Sequence, residues 1–126
     1  MNINAISGKV IDAVFHVHNE LGPGLFESVY EEILCYELQK RELVIRRQQI
    51  IPLQYRGEIL SDCAFKADVI VNNAIILELK SIDQLAPVHF KQLLTYLRLT
   101  HMKLGLLINF NEVLIKQGIH RIVNNL

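Results

Sequence analysis

"KADVIVNNAIILELK", residues Lys66 to Lys80, holds two short apolar runs on either side of an Asn-Asn pair. β-Branched residues and leucine bounded by turn formers read as two strands of a hairpin. Yet an aspartate opens the first run, and Glu-x-Lys closes the second. Strand side chains alternate between faces, so Asp68, Ile70, Ile76, Glu78 and Lys80 share one parity. Whether the two strands present their charges to one face depends on the loop. A two-residue loop, Asn72-Asn73, sets Asp68 opposite Leu77 and sends Glu78 to the other face. A three-residue loop, Asn72 to Ala74, sets Asp68 opposite Glu78 on the same face. Hairpin loops of both lengths are common, and both stay open here.

In the three-residue case the two carboxylates belong to residues roughly 5 Å apart. Like charges in that position destabilise a sheet, so a bound cation or a shared proton must compensate. Paired carboxylates at a sheet end suit Mg²⁺, a hard cation that takes oxygen ligands and keeps several waters. Lys80 follows Glu78 on the same face, about 7 Å further along the strand. An ammonium there can hold a metal-bound water and balance charge on a phosphate. Carboxylates, metal and lysine together are what in-line attack of water on a phosphodiester needs. The plainer alternative leaves Asp68 in solvent and lets Lys80 reach out along its stem. Glu78 fits that alternative poorly, because it follows "AIIL" in a segment that otherwise reads as interior.

Upstream, Ile6, Val10, Ile11, Val14, Phe15 and Val17 recur at helical spacing over residues 5–20. "LGPGL" stops that helix. A second helix is predicted from Phe26 to about Arg41, with Phe26, Val29, Tyr30, Ile33, Leu34 and Leu38 as its apolar stripe. Val44 to Tyr55 reads as a strand, with Pro52 marking an edge position or a bulge. "YRGE" is a turn, and the hairpin strands are Phe65 to Val71 and Ile75 to Lys80. Pro87 suits the first turn of a third helix carrying Phe90, Leu93, Leu94 and Leu97. "KLGLLINF", Lys103 to Phe110, is a central strand, and "IHRIV" a last short one. The order ααβββαβ(β) is an α/β (α+β) arrangement, a mixed sheet flanked by helices in one domain, residues 1–126.

Hydrophobic residues make up 51% and charged residues 21%, which excludes a disordered chain. Thirteen basic and thirteen acidic residues cancel. Net charge therefore gives no pointer to nucleic acid, and any such claim must come from a site. No apolar run is long enough to span a membrane, and the N-terminus has no signal-peptide pattern. Cys35 and Cys63 read as two free, mostly buried thiols of a cytoplasmic protein. The five histidines make no metal-binding spacing, "LGPG" lacks the lysine of a phosphate loop, and Arg46 and Arg47 read as a solvated strand region, with a phosphate contact as the alternative.

"GLFESVY", Gly24 to Tyr30, matches the Gly, Glu and Tyr of the GxxExxY family. "KADVIV", "ILELK", "HFKQLLTYLRLT" and "GLLINF" resemble that family's later blocks, in order. The resemblance runs from about Ile6 to Val123. It places the chain in the PD-(D/E)XK nuclease superfamily and implies a restriction-endonuclease-like αβββαβ core with one extra N-terminal helix. It also implies that Asp68 and Glu78 are metal ligands, with Glu27 completing the acidic cluster. Lys80 matches the superfamily's lysine, and Gln92 its polar position on the following helix. Ala67 stands where many members have proline.

On a helical wheel Glu27 lies about 60° from Tyr30 and about 20° from Leu34, close to the buried side. An acidic residue in a helix's first turn is also favoured by the dipole alone. Gln92 and Tyr96 are neighbours at i, i+4, with His89 one turn earlier. The expected function is an Mg²⁺-dependent nuclease, with Mn²⁺ as a substitute metal, acting on DNA or RNA. Asp68, Glu78 and Glu27 are its expected metal ligands, and Lys80, Gln92 and Glu27 its expected catalytic residues. The competing expectation is a nuclease-fold binding or regulatory protein with little or no activity. No membrane partner is expected; a homodimer or a protein partner stays open.

Overall fold

The computed structural model describes residues 1–126, with the side chains of residues 63 and 64 excepted. Three helices flank one mixed sheet. Helix α1 (Ile3–Leu21) and α2 (Glu27–Lys40) precede strands β1 (Ile45–Tyr55), β2 (Glu58–Val71) and β3 (Ile75–Lys80). Helix α3 (Pro87–Thr100), β4 (Leu104–Asn109), a 3-10 turn (Ile115–Gly118) and β5 (Ile119–Val123) complete the order. The sheet runs β1-β2-β3-β4-β5, with β3 and β4 parallel and the other neighbours antiparallel. This is the expected α+β, restriction-endonuclease-like arrangement, with α1 as the extra N-terminal helix.

α3 makes the crossover that parallel neighbours require, carrying the chain from the end of β3 back to the start of β4. β3 and β4 are covered on both faces, which is why they read as unbroken apolar runs. On one face Leu77, Leu79, Leu106 and Ile108 pack against Val10, Val14 and Val17 of α1 and Leu34 and Leu38 of α2. On the other, Ile70, Ile76 and Leu107 pack against Leu93, Tyr96 and Leu97 of α3. Each such side chain contributes about 1.5–3 kcal/mol by leaving water. Gly105 lets α3 approach closely: a Cβ there would sit 2.9 Å from the Leu93 side chain.

The hairpin loop is the three-residue one. Val71 pairs with Ile75, Ile70 with Ile76 and Val69 with Leu77, and Asn72 and Asn73 both take positive φ. Pro52 meets both expectations, since β1 is an edge strand and its register shifts between Ile51 and Leu53.

Several expectations need correction. β2 begins at Glu58, not Phe65, because Glu58, Ile59 and Ser61 pair with β1 in an arm where Ile59 and Leu60 stay exposed. With little burial there, no alternation marks the strand. Phe26 is 82% exposed and Val29 is also exposed, so the α2 stripe starts at Tyr30. Phe15 of α1 is exposed as well. Arg47 is exposed as expected, but it is not free: it pairs with Glu31 and Glu32 of α2. Cys35 is buried as expected, while the burial expected of Cys63 lies outside the described residues. Among the described residues no helix is long and apolar enough to cross a membrane.

Candidate active site

β1 and β2 break their alternation at one level. Arg47 reaches toward α2, whereas Ile51 packs in the α3-side core. On β2, Val69 and Val71 face the α1/α2 side, yet Ala67 joins Ile70 in the α3-side core. The register, Arg47 with Val69 and Gln49 with Ala67, sets Gln48 opposite Asp68 at this slip. Gln48 has φ 48, a left-handed backbone that interrupts the pleat. Such irregularities re-aim side chains, and here the residue re-aimed is Asp68.

β2 and β3 also part at this level, since their register continues only to Val69 and Leu77. Side chains occupy the gap. The Asp68 backbone N–H donates to Glu78 Oε1 at 3.2 Å, and the Leu79 N–H donates to Asp68 Oδ2 at 2.8 Å. Alternation from Ile76 puts Glu78 and Lys80 on the α3 face of β3. Glu78 is only 6% exposed. Burial first, then the Asp68 charge, push its carboxyl up to about 9, against which Lys80 pulls it down. From α3, the Tyr96 hydroxyl is raised by burial and then by the charges of Glu78 and Asp68. The phenol of Tyr96 therefore lies within the field of both carboxylates.

Lys80 is half-buried, and among the described residues its ammonium forms no ion pair. Its backbone is fixed instead. The Phe110 N–H donates to its carbonyl at 2.8 Å, and the fully buried Asn109 clamps the next segment. Asn109 Oδ1 accepts from the Ile82 N–H at 3.1 Å and its Nδ2 donates to the Ile82 carbonyl at 2.9 Å.

Glu27 is exposed at the start of α2, a correction to its expected place near the buried side. Its Oε2 accepts from the Ser81 N–H at 3.4 Å, so it reaches the end of β3 but not the carboxylate pair. Tyr30 holds the loop that carries it. Its hydroxyl donates to the Gly22 carbonyl at 2.5 Å and accepts from the Leu25 N–H at 3.2 Å, while its ring stacks on Phe110 at 4.5 Å. Gln92 is exposed on α3, one turn before Tyr96. His89 is spent on the helix start, where its Nδ1 accepts from the Ala86 N–H at 2.9 Å.

Two residues missed from sequence complete the neighbourhood. Glu31 is 8% exposed, and its Oε2 accepts from Arg47 Nε at 3.1 Å and Nη2 at 2.9 Å. Gln48 Nε2 donates to Glu31 Oε1 at 2.6 Å and lies 3.4 Å from Asp68 Oδ1. Glu31 falls in step with Leu34, Cys35 and Leu38, and that spacing was the available signal.

Among the described residues no three histidine, cysteine or acidic side chains gather to hold a metal. The site thus offers two carboxylates rather than three. That donor set fits Mg²⁺ or Mn²⁺, which use one or two carboxylates and fill their other positions with water and substrate phosphate. It does not fit a structural zinc site.

A family model described as PD-(D/E)XK nuclease superfamily matches residues 4–122. No curated protein and no solved structure gives a match.

Proposed function

The chain belongs to the PD-(D/E)XK nuclease superfamily, and on that premise we propose that it hydrolyses phosphodiester bonds of nucleic acid using a divalent cation held by Asp68 and Glu78. The observation that carries the proposal is the junction of these residues, Asp68 N–H on Glu78 Oε1 at 3.2 Å, with Glu78 buried and Lys80 two residues further along the same strand. Nucleases of this superfamily generally use divalent metal ions. When bound, the cation supplies charge neutralisation at the phosphate and acidifies a water.

The chain's own residues do the rest. Asp68 and Glu78 would give the cation its oxygen ligands, Glu78 releasing its proton to solvent. Lys80 holds the attacking water and offsets charge that builds on the phosphate. Its backbone carbonyl accepts from the Phe110 N–H, which fixes where the stem starts. Glu27 adds negative charge at the end of β3, and Gln92 orients the water or the lysine from α3. DNA and RNA both fit this chemistry. The Gly24, Glu27 and Tyr30 spacing makes membership of the GxxExxY family part of the same proposal.

The test is cleavage of labelled single-stranded, duplex and branched DNA, and of RNA, with Mg²⁺ or Mn²⁺. Wild type should cut at least one substrate, and Glu78→Gln should not. Absence of cleavage on every substrate would favour a nuclease-fold binding protein.

A further inference from the structure

Gln48 occupies a backbone position that suits glycine or asparagine better. Its φ of 48 is left-handed, a region that a residue of its length rarely adopts. Asparagine would tolerate the conformation but is one methylene shorter. The longer side chain reaches two acceptors from two different elements, Glu31 Oε1 on α2 at 2.6 Å and Asp68 Oδ1 on β2 at 3.4 Å. Both partners are carboxylates, so the amide must present its NH₂ to them, and its orientation follows from chemistry. Glu31 in turn accepts two hydrogen bonds from Arg47, which also reaches Glu32.

We propose that Gln48 is a positioning residue for Asp68: it ties the Glu31 carboxylate, itself paired with Arg47, to the carboxylate that lies opposite Glu78. The inference rests on the function proposed above. Asp68 Oδ2 is held by the Leu79 N–H at 2.8 Å and Oδ1 by Gln48, one donor on each oxygen. That restrains rotation of the carboxylate and leaves the remaining lone pairs for a ligand. The 3.4 Å contact is long, of the kind that tightens when a site is loaded. Groups that orient a metal-binding side chain commonly matter tenfold or more in affinity or rate, roughly.

The experiment compares wild type with Gln48→Asn and Gln48→Gly. Both replacements are at home at positive φ, so the fold survives, and neither can span Glu31 to Asp68. Three measurements are made. The Leu79 amide proton resonance, read without metal, should move upfield as its carboxylate acceptor loosens, while resonances of β5 stay in place. Calorimetric Mn²⁺ affinity should fall roughly tenfold. In cleavage assays kcat should fall with KM for nucleic acid unchanged, a split that general destabilisation does not produce. Wild-type Leu79 resonance and Mn²⁺ affinity in both variants would overturn the inference. If wild type neither binds Mn²⁺ nor cuts, the proposed nuclease function falls instead, and the Leu79 resonance alone decides whether Gln48 holds Asp68.

Discussion

Asp68 and Glu78 exchange their side chains for the ladder hydrogen bonds that β2 and β3 would otherwise make. Asp68 N–H donates to the Glu78 carboxyl at 3.2 Å, and the Asp68 carboxylate accepts from the N–H next to Glu78 at 2.8 Å. Two acidic groups are thereby drawn together where the strands part. The metal-free protein gains local order from these bonds, and burial together with the Asp68 charge favours the protonated form of Glu78.

Asp68→Asn keeps an oxygen to accept from Leu79 and removes the charge of that carboxylate. It should fold. In wild type, Mg²⁺ or Mn²⁺ should raise the melting temperature, because a ligand that binds only the native state stabilises it by about 2.7 kcal/mol at a hundred times its dissociation constant. Asp68→Asn should lose most of that rise, read by thermal unfolding with and without metal. An equal rise in both proteins would remove Asp68 from the ligand set.

Glu78 gives the chelator-treated protein a defined pH dependence. Its carboxyl is raised from 4.5 to about 9. A raised folded-state value means the native protein keeps a proton that the unfolded chain has already lost. The contribution of this proton is complete below about 4.5 and disappears as pH rises toward about 9. Denaturant unfolding of metal-free protein should therefore show stability falling across that window. Glu78→Gln should flatten the fall, and identical slopes would contradict the burial argument.

Lys80→Ala separates a catalyst from a metal binder. Metal affinity should stay level or improve, since a nearby positive charge is removed. Cleavage should fall by orders of magnitude, because an electrostatic contact made at the transition state is commonly worth about 3 kcal/mol. Lys80→Arg should rescue poorly, as its planar guanidinium presents different donors. Equal cleavage by wild type and Lys80→Ala would make Lys80 a structural residue.

Tyr30→Phe removes one hydroxyl that serves both Gly22 and Leu25. The ring can still stack on Phe110, so the loss isolates the loop tether. Denaturation should show a cost of about 0.5–1.5 kcal/mol, the net worth of a typical intramolecular hydrogen bond. Stability unchanged within 0.5 kcal/mol, roughly the scatter of surface substitutions, would mean that water replaces the hydroxyl without cost.

Much of this architecture was legible in the sequence because burial writes period into it. The unbroken runs of β3 and β4 and the spaced leucines of α3 announced themselves. The hairpin parity left two loops, and the three-residue one is found. Glu27 was misplaced for a geometric reason. A helical wheel gives direction around the axis but not depth along it, and α2 begins beyond the edge of the core. Glu31 stood in step with Leu34 and Leu38 and was legible, but an acidic residue on a helix is easily assigned to solvent. Gln48 was not legible at all. Its left-handed backbone and its two carboxylate partners come from α2 and β2, which meet it only in the folded chain. The Asn109 clamp was similarly hidden at the end of an apolar strand.

The most direct test of the central claim is calorimetric titration of Mn²⁺ into wild type at pH 7, in two buffers of different ionisation enthalpy. Glu78 holds its proton at this pH and must release it to ligate a cation, and metal binding to a protonated ligand liberates that proton. Saturable binding with release of about one proton is the expected result, with the release absent in Glu78→Gln. No binding heat at millimolar metal, or binding that releases no proton, would contradict a cation held between Asp68 and Glu78.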